Sequence, residues 1–212
     1  MDNEIYIVVK DTVVKYIHFN PFDPINGMGQ SRNQLLLTGT LTKSQVPEVQ
    51  NKENKLPILH YEKDKGFYYK YIDIDSSDMT LDELKDAKID LTKILLQKYI
   101  AQNPLLSDCH GGKVATYSID ESKMVRMSLM ITSYMVLTQF GIKDQITWNE
   151  TGKNCEVWTL EECVKLLAQW KPIIKALIER QQLLEIQIKE CNVKELVSAI
   201  NIEYRSADPR YN

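Results

Sequence analysis

At 212 residues, the chain is long enough for one large domain or two modest ones. Apolar residues make up 43% and charged residues 26%, ordinary for a globular protein, and only 8 Gly and 7 Pro exclude long flexible linkers and collagen-like repeats. A formal net charge of −3, with lysines interspersed among acids, argues against a general nucleic-acid binder, which needs a basic face to displace counterions from phosphate.

The opening segment, MDNEIYIVVKDTVV, carries acids where a secretion signal needs positive charge. No window approaches 18 uncharged apolar residues, so neither a membrane span nor a membrane partner is expected. Synthesis in the cytosol fits four cysteines, Cys109, Cys155, Cys163 and Cys191, read as free thiols; none forms a CxxC pair.

In chain order, EIYIVVKDTVVKYIHFN (4–20) reads as two β-rich runs meeting near Lys10-Asp11-Thr12, because Val, Ile and Tyr suit a half-buried pleated surface. PFDPINGMGQ, with two prolines and two glycines, excludes regular structure. QLLLTGTL (34–41) is expected to be a third strand, and the polar stretch TKSQVPEVQNKENK an exposed loop. LPILHYEKDKGFYYKYIDI (56–74) is the clearest hairpin, turning at Lys63-Asp64-Lys65-Gly66. These runs define a small β-rich N-terminal domain, residues 1–75.

Thr80 and Glu83 have capping-box spacing, in which the hydroxyl accepts from an orphan helix N–H and the carboxylate reaches back. They open a connector helix (76–106) with Leu84, Leu91, Leu95 and Lys98-Tyr99 along one stripe, stopped at Asn103-Pro104. It could lie against either domain. The C-terminal domain, 107–206, begins with a loop, SDCHGG, and an extended run, KVATYSI. A helix ended by Gly141 follows, with Met124, Met127, Ile131, Tyr134, Met135 and Thr138 at helical spacing; the methionines read as adaptable core filler. ITWNETGKNCEVW is a compact hairpin, and Thr159 with Glu162 is a second capping box opening the longest helix.

That helix repeats Cys163, Leu167, Trp170, Ile174, Leu177, Gln181, Leu184, Ile188 and Cys191 in alternating steps of four and three, a heptad register interrupted by Pro172. Two readings stay open: a kinked core helix, or an intersubunit coiled coil in which Gln181 fixes register. Asn192 and Glu195 repeat the capping spacing for a short helix, INIEY (200–204) reads as a closing strand, and residues 207–212 as a tail that is disordered or docks on a partner.

Little here points to chemistry. His18 and His60 fall in strands, and Cys109-His110 are adjacent in sequence, whereas catalytic pairs normally meet through the fold. The stretch IDIDSSDMTLDE, with Asp73, Asp75 and Asp78, lacks the glycine that the sharp turn of a calcium loop needs, and Gly27-x-Gly29 lacks the rest of a dinucleotide fingerprint. No catalytic residue, cofactor or metal ligand is assigned. Trp148, Trp158 and Trp170, with Gln181, are the candidate interface residues; for Trp148 and Trp158 the favoured reading is core packing of the hairpin on the following helix, with carbohydrate stacking as the alternative.

The series YSIDESKMVRMSLMITSYM, ITWNETGKNCEVWTLEECVKL and KALIERQQLLEIQIKECNVKELVSAINIEY resembles the C-terminal domain common in phage and prophage tail fibre and tail fibre assembly proteins. Tyr117, Trp148, Trp158-Thr159-Leu160-Glu161-Glu162, Gln181-Gln182 and Cys191-Asn192 carry the resemblance, which covers roughly residues 110–204. More loosely, Ile25-Asn26-Gly27-Met28-Gly29-Gln30 is similar to the starts of tail-fibre or baseplate accessory proteins. The resemblance implies no enzyme and no cofactor. It implies a structural protein of the virion tail, in contact with other tail or baseplate proteins and homo-oligomeric; a tail fibre assembly chaperone and a carbohydrate-binding receptor module are the alternatives. The expected fold is α+β: a small β-rich N-terminal domain, a connector helix and a helix-dominated C-terminal domain with a short β-hairpin.

Overall fold

A computed structural model of the chain describes residues 4–23, 27–50, 52, 55–73, 78–119 and 121–211. The fold is α+β, with a five-stranded antiparallel sheet in the N-terminal part and helices dominating the rest. Strands β1 (Ile5–Lys10) and β2 (Val13–Phe19) form a hairpin whose turn residues, Asp11 and Thr12, both have positive φ (49° and 67°). Such a two-residue turn matches the right-handed strand twist. The register slips between Val8 and Val9, a bulge that bends the pair.

The stretch expected as a third strand is mostly helix. Residues Arg32–Thr38 form α1, and only Thr40–Thr42 pair as β3 along the free edge of β1. Ser31 and Gln34 supply the reason, a capping box with both reciprocal bonds made. Three leucines, none branched at Cβ, then favour helix over strand. Gly39 is required where this helix gives way to β3: a Cβ there would lie 2.4 Å from the Ile7 carbonyl oxygen and 2.5 Å from the Tyr6 ring.

β4 (Lys55–Glu62) and β5 (Gly66–Asp73) pair along their full length as expected, with Gly66 at φ 72°. The sheet order is β3-β1-β2-β4-β5, yet β2 and β4 share a single pair, Val13 with His60. Two bonds secure that junction: Tyr61 N–H donates to the Thr12 carbonyl at 2.8 Å, and the Thr12 hydroxyl lies 2.8 Å from His60 Nδ1. Ile25-Asn26 of the N-terminal turn motif and Asp75 of the weighed acidic series lie outside the described residues.

Helix α2 (Leu81–Gln102) begins at the Thr80/Glu83 capping box. Its buried residues, Leu84, Lys88, Ile89, Leu91, Thr92, Ile94, Leu95, Leu96 and Lys98, cover more than half of its circumference, leaving a solvent-facing stripe at Asp86, Asp90, Lys93 and Gln97. So wide a buried face lets one helix serve several parts of the core. Ile94 joins Ile5, Ile7, Val14 and Ile17 under the sheet; Leu84 and Ile89 join Leu56, Ile188 and Val197; Leu91, Leu95 and Leu96 join the large C-terminal cluster. The segment expected to connect two domains therefore contributes to the core on both sides. The loop before β4 is also drawn in, since buried Lys98 donates to the Pro47 carbonyl at 2.8 Å and pairs with Glu48 at 2.9 Å.

Beyond α2 come β6 (Leu105–Ser107) paired with β7 (Ala115–Tyr117), helix α3 (Glu121–Gln139), the hairpin β8 (Ile146–Trp148) with β9 (Glu156–Trp158), and α4 (Leu160–Glu190). The α4 capping box forms as its sequence requires, and the helix continues through Pro172, which is exposed. Its heptad positions Cys163, Trp170, Ile174, Leu177, Leu184 and Ile188 are buried within the chain, with α2 and α3 packed against the helix. Of the two readings left open, the core helix is the one this packing fits.

Two expectations near the end are corrected. The short helix α5 (Lys194–Ala199) is preceded by Val193 without a side-chain cap, so the Asn192/Glu195 box does not form. Residues 200–204 are not a strand, because Tyr204 is anchored onto α2, its hydroxyl donating to the Thr92 carbonyl at 2.8 Å. A single 3₁₀ turn, Arg205–Ala207, follows. The tail docks on the chain itself: Asp208 is fully buried, and Arg210 donates to the carbonyls of Asn103 and Pro104 at the C-terminal end of α2.

Candidate functional site

Trp148, Trp158 and Trp170, expected as interface anchors, sit in the interior at 1–3% exposure. Trp148 meets Trp170 edge-on at 5.9 Å, pinning the β8–β9 hairpin to α4, and Trp158 meets Tyr117 edge-on at 5.6 Å. Burial this deep removes them as platforms for a sugar ring or for a neighbouring chain. Gln181 is half-buried and donates to Glu185 one turn along its own helix. The three tryptophans belong to the C-terminal core, whereas Gln181 stays at its edge.

Cys109 and His110, weighed as a catalytic pair, part company as adjacent residues usually do. The Cys109 side chain is buried, and burial pushes its thiol up. The His110 ring stacks flat on Trp158 at 4.5 Å, its Nε2 is 3.2 Å from Glu156, and its Nδ1 is 3.1 Å from Glu162. The Glu162 contact is close enough for an ion pair but is not aligned with the ring N–H. Burial would raise the Glu162 carboxyl, but the N–H groups of Thr159 and Gly111, the Thr159 hydroxyl and His110 outweigh it and hold the group down to about 2. The arrangement thus fastens the 108–113 loop to the capped end of α4. Among the described residues, no three His, Cys, Asp or Glu side chains gather as a metal site. Among the grooves that indent the surface, one lies between β2, α2 and the start of α3, one between β2, β4 and α2, and one at the end of α3 beside Tyr134, Thr138 and Ile142; none of these is lined by Cys109 or His110.

The feature that stands out is α3. Its inner side is conventional: Met127 and Lys123 are buried, and Met124, Met130, Ile131 and Tyr134 pack partly against the C-terminal cluster. Its outer side is also apolar. Val125, Leu129 and Val136 lie along one exposed stripe with Phe140 beyond the helix end, at 48%, 63%, 45% and 77% exposure, flanked by Met135 and Ile142. From Met127 through Ile142 there is no charged residue. The hydroxyls of Ser128 and Thr132 donate back to the carbonyls of Met124 and Ser128, at 2.8 and 2.9 Å, which lowers the polarity of the surface further.

The stop after α3 is equally well defined. Gly141 takes φ 72° and donates to the Thr138 carbonyl while Ile142 N–H donates to Leu137, both at 3.0 Å. This paired closure is a Schellman cap, which uses glycine because only glycine is unstrained in that conformation. It leaves Phe140 and Ile142 facing outward at the end of the stripe. A helix apolar all round belongs in an interior, and α3 has only half of one.

The sequence held this signal in the spacing of Val125, Leu129, Val136 and Phe140, behind the more regular methionine series. Met135, in that series, lies on the exposed side at 48%. Among the described residues, no helix is long and apolar enough to cross a membrane. Comparison with models of protein families, with curated proteins and with solved structures finds no match to the chain.

Proposed function

We propose that this chain works by protein–protein contact, as a structural subunit of a larger assembly, and that the assembly is a bacteriophage tail. The observation that carries the first part is the outer side of α3, an apolar stripe open to solvent and free of charge from Met127 through Ile142. Exposed apolar area of this kind marks interaction sites. The second part draws on the resemblance of residues 110–204 to the C-terminal domain of tail fibre and tail fibre assembly proteins. The residues that carry that resemblance do core work here, with Trp148 and Trp158 buried and Thr159 with Glu162 capping α4, so they specify a framework whose free surface is left to α3.

In this reading, one face binds a tail fibre or baseplate protein, and repetition in a symmetric tail supplies avidity that a single modest contact lacks. Its place is the virion tail, reached after synthesis in the host cytoplasm. Quantitative mass spectrometry of purified particles of the encoding phage tests it, with stoichiometric peptides expected. Particles that lack the chain yet form fibres only when it is expressed would assign it instead to fibre assembly. Particles unaffected in composition and infectivity by its deletion would refute both.

A further inference from the structure

We infer that the outer face of α3 seats α3 of a second copy of this chain, in an antiparallel pairing about a two-fold axis near Thr132. The inference deepens the protein-contact reading above by naming the occupant. A two-fold interface sets a patch against itself, so a charge near the axis meets its own copy. The stretch from Met127 through Ile142 avoids this, because it has no charge to repeat. The charges lie at the ends, with Glu121 and Arg126 at one and Lys143 and Asp144 at the other. Antiparallel pairing about Thr132 brings Glu121 of each copy to the level of Lys143 of the other, as 121 and 143 are equally far from 132. The same register stacks Leu129 near Met135 and Val136, and Val125 near Gln139 and Phe140, with the smaller Thr132 at the crossing.

Size supports the same occupant. The six exposed apolar side chains from Val125 to Ile142 leave on the order of 600 Å2 in solvent, at the upper end of what a monomer's largest patch reaches, and approaching the ~800 Å2 per partner of a standard interface. A lipid surface fits less well. Helices that lie on membranes line their polar side with Lys and Arg, whereas in α3 the basic residues are Arg126 and Lys123, and Lys123 is buried.

Sedimentation equilibrium of the full chain across a wide concentration range tests this. The expected species has twice the 24.6 kDa chain mass. Leu129→Glu with Val136→Glu should weaken association on the order of a hundredfold or more, while Leu37→Glu, at a still more exposed position on α1, should leave it unchanged. Circular dichroism of both variants shows that the fold survives. The decisive arm mixes the Glu pair with a Leu129→Lys, Val136→Lys partner, which should restore a mixed dimer, a result misfolding cannot produce. With Cys155 replaced by Ser, Thr132→Cys should form a disulfide with its own counterpart on mild oxidation.

A wild-type chain monomeric at every concentration, or a dimer indifferent to both charge pairs, overturns the inference. A monomer whose Glu pair loses incorporation into tails overturns it while leaving the protein-contact reading intact. A monomer that pelts with phosphatidylglycerol vesicles and loses this in the Glu pair overturns it in favour of lipid. A charge-sensitive dimer missing from virions upholds it and removes only the tail assignment.

Discussion

The docked tail gives the most direct quantitative test of the fold. Asp208 has no exposed side-chain surface and collects donors: the Tyr99 hydroxyl at 2.9 Å, Arg210 Nε at 2.9 Å and the Arg210 backbone N–H at 3.0 Å. Arg210 in turn closes the end of α2 by donating to Asn103 and Pro104, where a cation also suits the helix dipole. Asp208→Ala would leave a guanidinium that is 21% exposed without its counter-charge, and the Tyr99 hydroxyl without its acceptor. A buried pair broken from one side costs about 3–5 kcal/mol, and the partial exposure of Arg210 places the expected loss near about 3 kcal/mol. Asp208→Asn keeps the shape and an acceptor and should lose roughly half as much.

Acid provides an internal check on the same contact. Burial would raise the Asp208 carboxyl, but Arg210 and Tyr99 outweigh it and hold it below the ordinary carboxylate value. A depressed folded value means the stabilisation is present above the unfolded value, about 3.9, and disappears as pH falls through the folded one. Urea titrations of wild type and Asp208→Asn should therefore differ in midpoint at neutral pH and converge in acid. Equal midpoints at neutral pH, or a difference unchanged by acid, would refute the docked tail.

Lys88 is buried, with Nζ donating to the Ser198 carbonyl at 3.2 Å, and burial lowers it to about 8. From there to the unfolded value of about 10.4 the unfolded chain holds more protons, so the Lys88 contribution to stability should rise with pH by on the order of 2–3 kcal/mol. The raised Cys163 thiol opposes that rise equally in wild type and Lys88→Met, so the contribution is read as a difference between their urea midpoints that changes from pH 7.5 to 10 in favour of wild type. Gly39→Ala forces its new methyl against the Ile7 carbonyl and the Tyr6 ring and should cost about 1–3 kcal/mol, read as a lowered thermal midpoint. Among the thiols, exposed Cys155 should react at once with an aromatic disulfide reagent. Cys163, buried and pushed up to about 12, should react only on unfolding.

Where local chemistry decides structure, the sequence could be read directly. Thr80 with Glu83 and Thr159 with Glu162 mark helix starts because the cap is made within four residues, and Lys63 to Gly66 marks a turn because φ at Gly66 must be positive. Ser31 with Gln34 obeys the same rule; three leucines before a Thr-Gly-Thr concealed it beneath a strand-like pattern. Residues 200–204 failed for the opposite reason. Ile-Asn-Ile-Glu-Tyr alternates like a strand, but strands need a partner edge, and Tyr204 is committed to the Thr92 carbonyl. The core tryptophans illustrate the limit at the site: an aromatic near a hairpin looks the same in sequence whether it faces inward or outward. Their burial, and with it the shift of the candidate surface to α3, depends on how α2, α3 and α4 pack.

The sharing of α2 among three hydrophobic clusters determines how the molecule can come apart. Leu84, Ile89, Ile94, Leu91 and Leu95 each belong to a hydrophobic cluster, and between them they touch all three. A chain severed before or after this helix would leave one product with an open apolar trough and the other with a bare helix. Neither half is equipped to survive protease or chaperone surveillance alone. Loss of structure is accordingly cooperative across the whole chain, and a partner that clamps any one cluster lends resistance to the other two.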